Sequence, residues 1–183
     1  MLRLTRLPLV ALMVAFLAAP AAARAATDPS SDVAIKAAFL YNFAKFTDWP
    51  ELPATAPLTI CVMGDARIAA ALLETVRSQR ISGHPIETIA MGGDGQAEPC
   101  GVLYVATKEI RRAAALLNTL KTLRILTVSD SQGFAQSTGV VEFFVENGHM
   151  RFFINTDAAG RSGLRLSSRL LGLATIVRDQ HVQ

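Results

Sequence analysis

Leu58-Thr-Ile-Cys-Val-Met-Gly-Asp65 is the stretch that decides the fold. Leu58 to Met63 reads as a strand buried on both faces, because it lacks polar alternation, and Gly64-Asp65 closes it. Ile68, Leu72 and Val76 then recur at helical spacing, so Ile68 to Val76 reads as a helix. A buried strand followed at once by a helix predicts parallel pairing in a layered α/β domain.

The alternation continues downstream. Pro85 to Met91 reads as a second strand, followed by a loop at Gly92-Gly93-Asp94-Gly95. Val102 to Ala106 is a third strand, Glu109 to Leu120 a helix and Ile125 to Val128 a fourth strand. The pattern then changes. Val140 to Glu146 and His149 to Asn155 are strand-like around Asn147-Gly148, the preferred pair for a two-residue type I′ hairpin. Such a turn sets the register: Val145 opposes Met150, Phe143 opposes Phe152 and Val141 opposes Ile154, an apolar face. On the other face Glu146 meets His149, Phe144 meets Arg151 and Glu142 meets Phe153. Phe144 and Phe153 among charges predict a face half covered by a helix, with a partner surface as the alternative.

From Asp157 to about Val177 the chain is too apolar for a freely exposed helix. Arg161, Arg165 and Arg169 recur every fourth residue and would stack on one helical face, as a solvated edge or a grip for an acidic partner. Gly160 and Gly163 make a break at its start plausible. Upstream, Ser31 and Asp32 are N-cap residues for a helix over Val33 to Phe46, with Val33, Ala37, Leu40 and Ala44 on one face. Phe39, Phe43 and Phe46 form a neighbouring aromatic stripe, read as core or, more sharply, as a partner groove. Trp49-Pro50 ends that helix, and Pro50, Pro53 and Pro57 mark an extended linker.

The first twenty-five residues read differently. Arg3 and Arg6 precede an apolar run, Leu7 to Ala19, too short to span a bilayer, and Ala23 and Ala25 stand as a small-residue cleavage signal. Residues 1–25 are therefore expected to be a cleaved signal peptide, and residues 26–183 one exported domain. Three of the eighteen Lys and Arg residues fall in the signal, so fifteen balance fifteen Asp and Glu in the remainder. The basic excess thus gives no argument for a nucleic-acid partner.

Cys61 and Cys100 are the two cysteines. In an oxidising compartment such a pair is expected to be bridged, for stability or as a redox-responsive bond. Closing a loop of about 40 residues is worth roughly 4 kcal/mol in the chain-entropy model. There is no C-x-x-C pair to activate a thiol, and His84, His149 and His181 lack metal-ligand spacing, so neither a catalytic nor a metal site is expected. G-x-S-x-G is absent, and Gly92-Gly93-Asp94-Gly95 lacks the lysine and spacing of a phosphate loop. No cofactor is expected. The residues alone describe an exported α/β binding or regulatory module.

Lys36-Ala-Ala-Phe-Leu-Tyr-Asn-Phe-Ala-Lys-Phe-Thr-Asp-Trp-Pro50 resembles the opening signature of the YfiR-like periplasmic regulators. The resemblance continues through Leu58 to Gly64, Arg124-Ile-Leu-Thr-Val-Ser-Asp130 leading into Gly133-Phe134, and Phe152-Phe-Ile-Asn155. It closes with Leu164-Arg-Leu-Ser-Ser-Arg-Leu-Leu-Gly-Leu-Ala174. It implies a compact single-domain α/β layered sandwich, in keeping with the mostly parallel sheet, C-terminal β-hairpin and packed terminal helices read above. It also implies a homodimer in the periplasm that binds the periplasmic sensor domain of an inner-membrane diguanylate cyclase, or another sensor protein, and restrains cyclic-di-GMP synthesis. An outer-membrane lipoprotein is implied as a competitor. Cys61 and Cys100 match a family cysteine pair, while a further pair seen in some members has no counterpart here. Candidate partner contacts are Phe39, Phe43 and Phe46, Phe144 and Phe153, and Arg161, Arg165 and Arg169. A small-molecule-binding module, with its pocket at the strand ends, is the alternative.

Overall fold

The computed structural model describes residues 29–92, 97, 99–137 and 139–179. The expected signal peptide, Gly93 to Gly95 of the glycine-rich loop, and His181 lie outside them. Helix α1 (Pro29–Lys45) begins two residues before the expected caps, with Asp32 in its first turn. Strand β1 (Thr47–Asp48) follows, then β2 (Leu58–Met63), whose six residues are all buried. Gly64 turns the chain at φ +88°, and a Cβ there would meet Glu109 Cγ at 2.4 Å, so this tight passage admits only glycine. Asp65 then caps α2 (Ala66–Val76) by accepting from the amides of Arg67 and Ile68.

Strands β3 (Arg80–Ile81) and β4 (His84–Met91) form a short hairpin, and β5 (Cys100–Val105) and α3 (Ile110–Leu120) come next. Strand β6 (Leu126–Ser129) is followed by the single turn α4 (Phe134–Ser137) and the hairpin β7 (Val141–Glu146) and β8 (His149–Asn155). The hairpin has the expected register at all six pairs, from Val141 opposite Ile154 to Glu146 opposite His149. Asn147 and Gly148 both adopt positive φ, as a type I′ turn requires.

The main sheet has the order β10-β8-β7-β6-β5-β2-β4-β3, where β10 is Thr175–Val177. Strands β4, β2, β5, β6 and β7 run parallel. From β2 the chain steps outward to β4, then returns to place β5 on the other side, so the winding reverses between β2 and β5. Consistent with right-handed crossovers, α2 and α3 lie on opposite faces. One core holds α1 and α2 against Ile60, Val62, Tyr104, Val128, Phe143 and Phe152. The other holds α3 against Cys61, Met63, Leu103 and Val105. The architecture is the expected α/β sandwich.

The C-terminal segment corrects an expectation. It is not one helix but α5 (Thr156–Arg161), β9 (Arg165–Leu166), α6 (Ser168–Leu171) and β10. Asn155 caps α5, Gly163 sits at φ +64°, and Ser167 caps α6 through the Leu170 amide. These start and stop signals outweigh the apolar spacing, and β9 and β10 are captured by distant partners, β1 and β8. Arg161, Arg165 and Arg169 therefore do not share a helical face.

Candidate partner-binding surface

The C-terminus of α1 is built by side chains that cap its last carbonyls. Thr47 Oγ1 donates to the Phe43 carbonyl at 2.7 Å and Trp49 Nε1 to that of Ala44 at 2.8 Å. Strand β1 then pairs antiparallel with β9, Thr47 opposite Leu166 and Asp48 opposite Arg165. The Ser167 amide donates to the Phe46 carbonyl at 2.9 Å, locking the cap of α6 to the end of α1. A patch results. The half-buried Phe46 ring carries the Arg169 guanidinium 5.9 Å from its centroid and Lys45 Nζ at 5.9 Å, a cation–π arrangement on both counts. Arg165 lies 3.8 Å from Asp48, but both side chains are largely exposed, so this pair binds weakly and leaves the guanidinium accessible. Three cations, one carboxylate and an aromatic ring make a surface suited to an acidic protein partner.

The other expected contacts lie elsewhere. Phe43 is wholly buried, and with Phe39 it packs on Phe143 and Phe152 at centroid distances of 5.0–5.8 Å. Phe43 is thus core, while Phe39 and Phe46 are both half-buried against that core, Phe39 under the hairpin and Phe46 beyond the end of α1. Phe144 and Phe153 stack at 4.2 Å and remain half-buried. The expected helical cover is confined to the one turn α4, which is tied to the Glu142 and Asn155 end of that face. Glu142 accepts from the Gly133 and Ala135 amides at 3.0 Å, and Asn155 donates to the Ala135 carbonyl at 2.6 Å. Arg161 is held by Asp179, which also accepts from Asn155, so its charge is spent on the C-terminal segment.

Cys61 and Cys100 form a disulfide joining neighbouring strands β2 and β5, with Cα atoms 5.8 Å apart. Cys61 is fully buried and Cys100 is 4 % exposed, a placement that suits a structural bridge. Among the described residues no group of three or more His, Cys, Asp or Glu side chains is placed to hold a metal ion.

A polar network not read from the sequence sits at the carboxyl ends of β5 and β6. Lys36 of α1 lies 2.8 Å from Asp130 and 3.1 Å from Asp32. The other Asp130 oxygen accepts from the amide and hydroxyl of Thr107, both at 2.9 Å. Burial alone would raise the Asp130 carboxyl, but Lys36, Thr107 and the Tyr104 hydroxyl outweigh it and hold it below the usual carboxylate range. Burial likewise opposes the Lys36 charge, and the two carboxylates more than restore it, leaving its ammonium above the usual lysine value. Tyr104 is fully buried, and burial next to Asp130 pushes its phenol upward. This network fixes α1 on the sheet at the carboxyl ends of β5 and β6, one strand along from the point between β2 and β5 where the winding reverses.

A family model described as YfiR/HmsC-like matches residues 33–175, from the first turns of α1 to β10. The chain belongs to the YfiR/HmsC-like family. Among curated proteins none matches it. Membership places it with periplasmic regulators of diguanylate cyclase signalling, a family of regulators rather than enzymes. Among the described residues no helix is long and apolar enough to cross a membrane. The matched span contains α1 from Val33 onward, β1, β9 and α6, and so the whole basic and aromatic patch of this YfiR/HmsC-like chain.

Proposed function

We propose that this protein, exported by a signal peptide spanning residues 1–25, binds the periplasmic sensor domain of an inner-membrane diguanylate cyclase and represses cyclic-di-GMP synthesis. The observation that carries the reading is the Arg169 guanidinium over Phe46 at the end of α1, beside the β1–β9 pairing that sets Arg165 opposite Asp48, within the family's span. The mechanism is occupancy: binding one conformation of the receptor more tightly than the other shifts its equilibrium. A homodimer would present two such patches to a dimeric receptor, and an outer-membrane lipoprotein competing for the patch would relieve the repression. The test is R165E/R169E expressed from the native locus. The proposal expects cyclic-di-GMP to rise to the level of a deletion strain with protein abundance unchanged; wild-type cyclic-di-GMP in the variant would contradict it.

A second reading has one observation in its favour. A cleft of about 140 Å³ opens between α3 and α4, lined by Ile110, Asn118, Ser131, Gln132 and Phe134, near the carboxyl end of β6. It suits a small neutral ligand that would modulate the regulator. Native mass spectrometry of protein purified from the periplasm tests this: an added ligand mass supports it, and apoprotein alone contradicts it.

A further inference from the structure

Arg124, just ahead of β6, holds a poorly satisfied guanidinium. Its side chain is 30 % exposed, yet Nε and Nη1 are closed to water and complete no hydrogen bond among the described residues. Glu51 Oε1 lies 2.8 Å from Nη1 but off the line of its N–H, an ion pair without a hydrogen bond. The Glu51 side chain is itself 76 % exposed, so little besides that attraction holds it in place.

A similar pair stands beside it. Asp48 lies 3.8 Å from Arg165, beyond hydrogen-bond reach. The two pairs are neighbours along the chain on both sides. A Cβ on Gly163 would meet the Arg124 guanidinium at 3.5 Å, and Gly163 is two residues from Arg165, within about 7 Å even of extended backbone. Glu51 follows Asp48 by three residues, and the Leu52 amide donates to the Trp49 carbonyl at 3.2 Å, folding that segment into a turn. Trp49 is anchored on the Ala44 carbonyl, with Glu51 beyond the anchor. One short acidic segment, Asp48 to Glu51, thus faces two arginines from distant parts of the sequence and satisfies neither.

We infer that Arg124 is a further contact for an acidic segment of the receptor, and that Glu51 is a competitor within the chain that covers it in the free protein. This rests on the reading that the neighbouring Phe46 and Arg169 patch binds the receptor. A receptor carboxylate that meets the guanidinium in line exchanges a misaligned ion pair for a charge-assisted hydrogen bond, and Glu51 moves into water. Charge selects the occupant. With Glu51 displaced, Arg124, Arg165 and Arg169 face only Asp48, an excess of positive charge that attracts an acidic segment and repels a basic one.

The test expresses the full chain from an inducible promoter in a strain without the chromosomal copy. It reads, by immunoblot, the amount of protein that gives half-repression of cyclic-di-GMP. Glu51→Gln should reach half-repression with about two- to fivefold less protein than wild type. Arg124→Gln should need at least about tenfold more. The double variant should match Arg124→Gln, because Glu51 acts only through Arg124. Glu51→Gln alters an exposed side chain, so it decides the matter even where Arg124→Gln lowers the thermal midpoint. An unchanged or higher requirement for Glu51→Gln would overturn the inference, as would an equal gain from it when residue 124 is already Gln. Two further results would overturn the reading beneath it and this inference with it: no repression by wild type at any level, or R165E/R169E repressing as wild type does.

Discussion

Replacing Asp130 tests how α1 is held. The Lys36 side chain is 13 % exposed and that of Asp130 25 %, so their pair is shielded from water on most sides. Asp130→Ala takes from Lys36 its nearest carboxylate and from the Thr107 amide and hydroxyl the acceptor of both their hydrogen bonds. A hydrogen bond to a charged group contributes about 1.5–3 kcal/mol, and Asp32 at 3.1 Å keeps part of the Lys36 interaction, so the loss should be about 2–3 kcal/mol. Lys36→Met should cost about 1–2 kcal/mol, because Asp130 retains Thr107. The double variant should cost about as much as Asp130→Ala alone, a coupling of about 1–2 kcal/mol in urea unfolding at neutral pH. The pH dependence has a definite sign. Asp130 has a depressed folded pKa, so its contribution is present above the unfolded value near 3.9 and is lost as pH falls through the folded one. Lys36 has a raised folded pKa, so its contribution is present below about 10.4 and is lost as pH rises through the folded value. The gap between wild type and Asp130→Ala should thus hold constant from about pH 5 to 9 and shrink as pH falls below the unfolded carboxylate value of about 3.9. Additive single losses, or a gap that persists undiminished at low pH, would refute the reasoning.

Reducing the Cys61–Cys100 bond, or Cys61→Ser, should cost about 4 kcal/mol and lower the thermal midpoint by roughly 10 °C in calorimetry, with the fold retained. Phe43→Ala should cost about 3–5 kcal/mol by chemical denaturation, since its ring is wholly buried among Phe39, Phe143 and Phe152. Glu142→Ala should cost about 1–3 kcal/mol, because it leaves the Gly133 and Ala135 amides without their acceptor, and hydrogen exchange at those amides should accelerate.

Local rules made much of the fold legible. Leu58 to Met63 needed no partner to be recognised, and a two-residue Asn147-Gly148 turn leaves the hairpin one register. What escaped was non-local. The spacing of Arg161, Arg165 and Arg169 has helical meaning only inside a helix, and pairing of β9 with β1 and β10 with β8 removes that helix. Gly163 and the caps Asn155 and Ser167 were the available signs. Lys36 and Asp130 stand 94 residues apart, so no window contains both, and Asp130 was visible only as an acidic residue closing β6. Glu142 read only as the charge opposite Phe153 on a half-covered face, because nothing in Val140 to Glu146 announces that the Gly133 turn folds over it. At the surface, one stripe divided: Phe39 and Phe43 face the hairpin, while Phe46, beyond the end of α1, turns towards Arg169.

The patch around Phe46 and Arg169 is proposed to meet an inner-membrane receptor. The most direct measurement is photocrosslinking in intact cells, with the crosslinker placed at Arg169 and, as a control, at Arg111 on the exposed face of α3. The account predicts that the Arg169 position captures an inner-membrane protein with a cytoplasmic cyclase domain and that the Arg111 position does not. Capture from Arg111 alone, or of no membrane protein from Arg169, would contradict it.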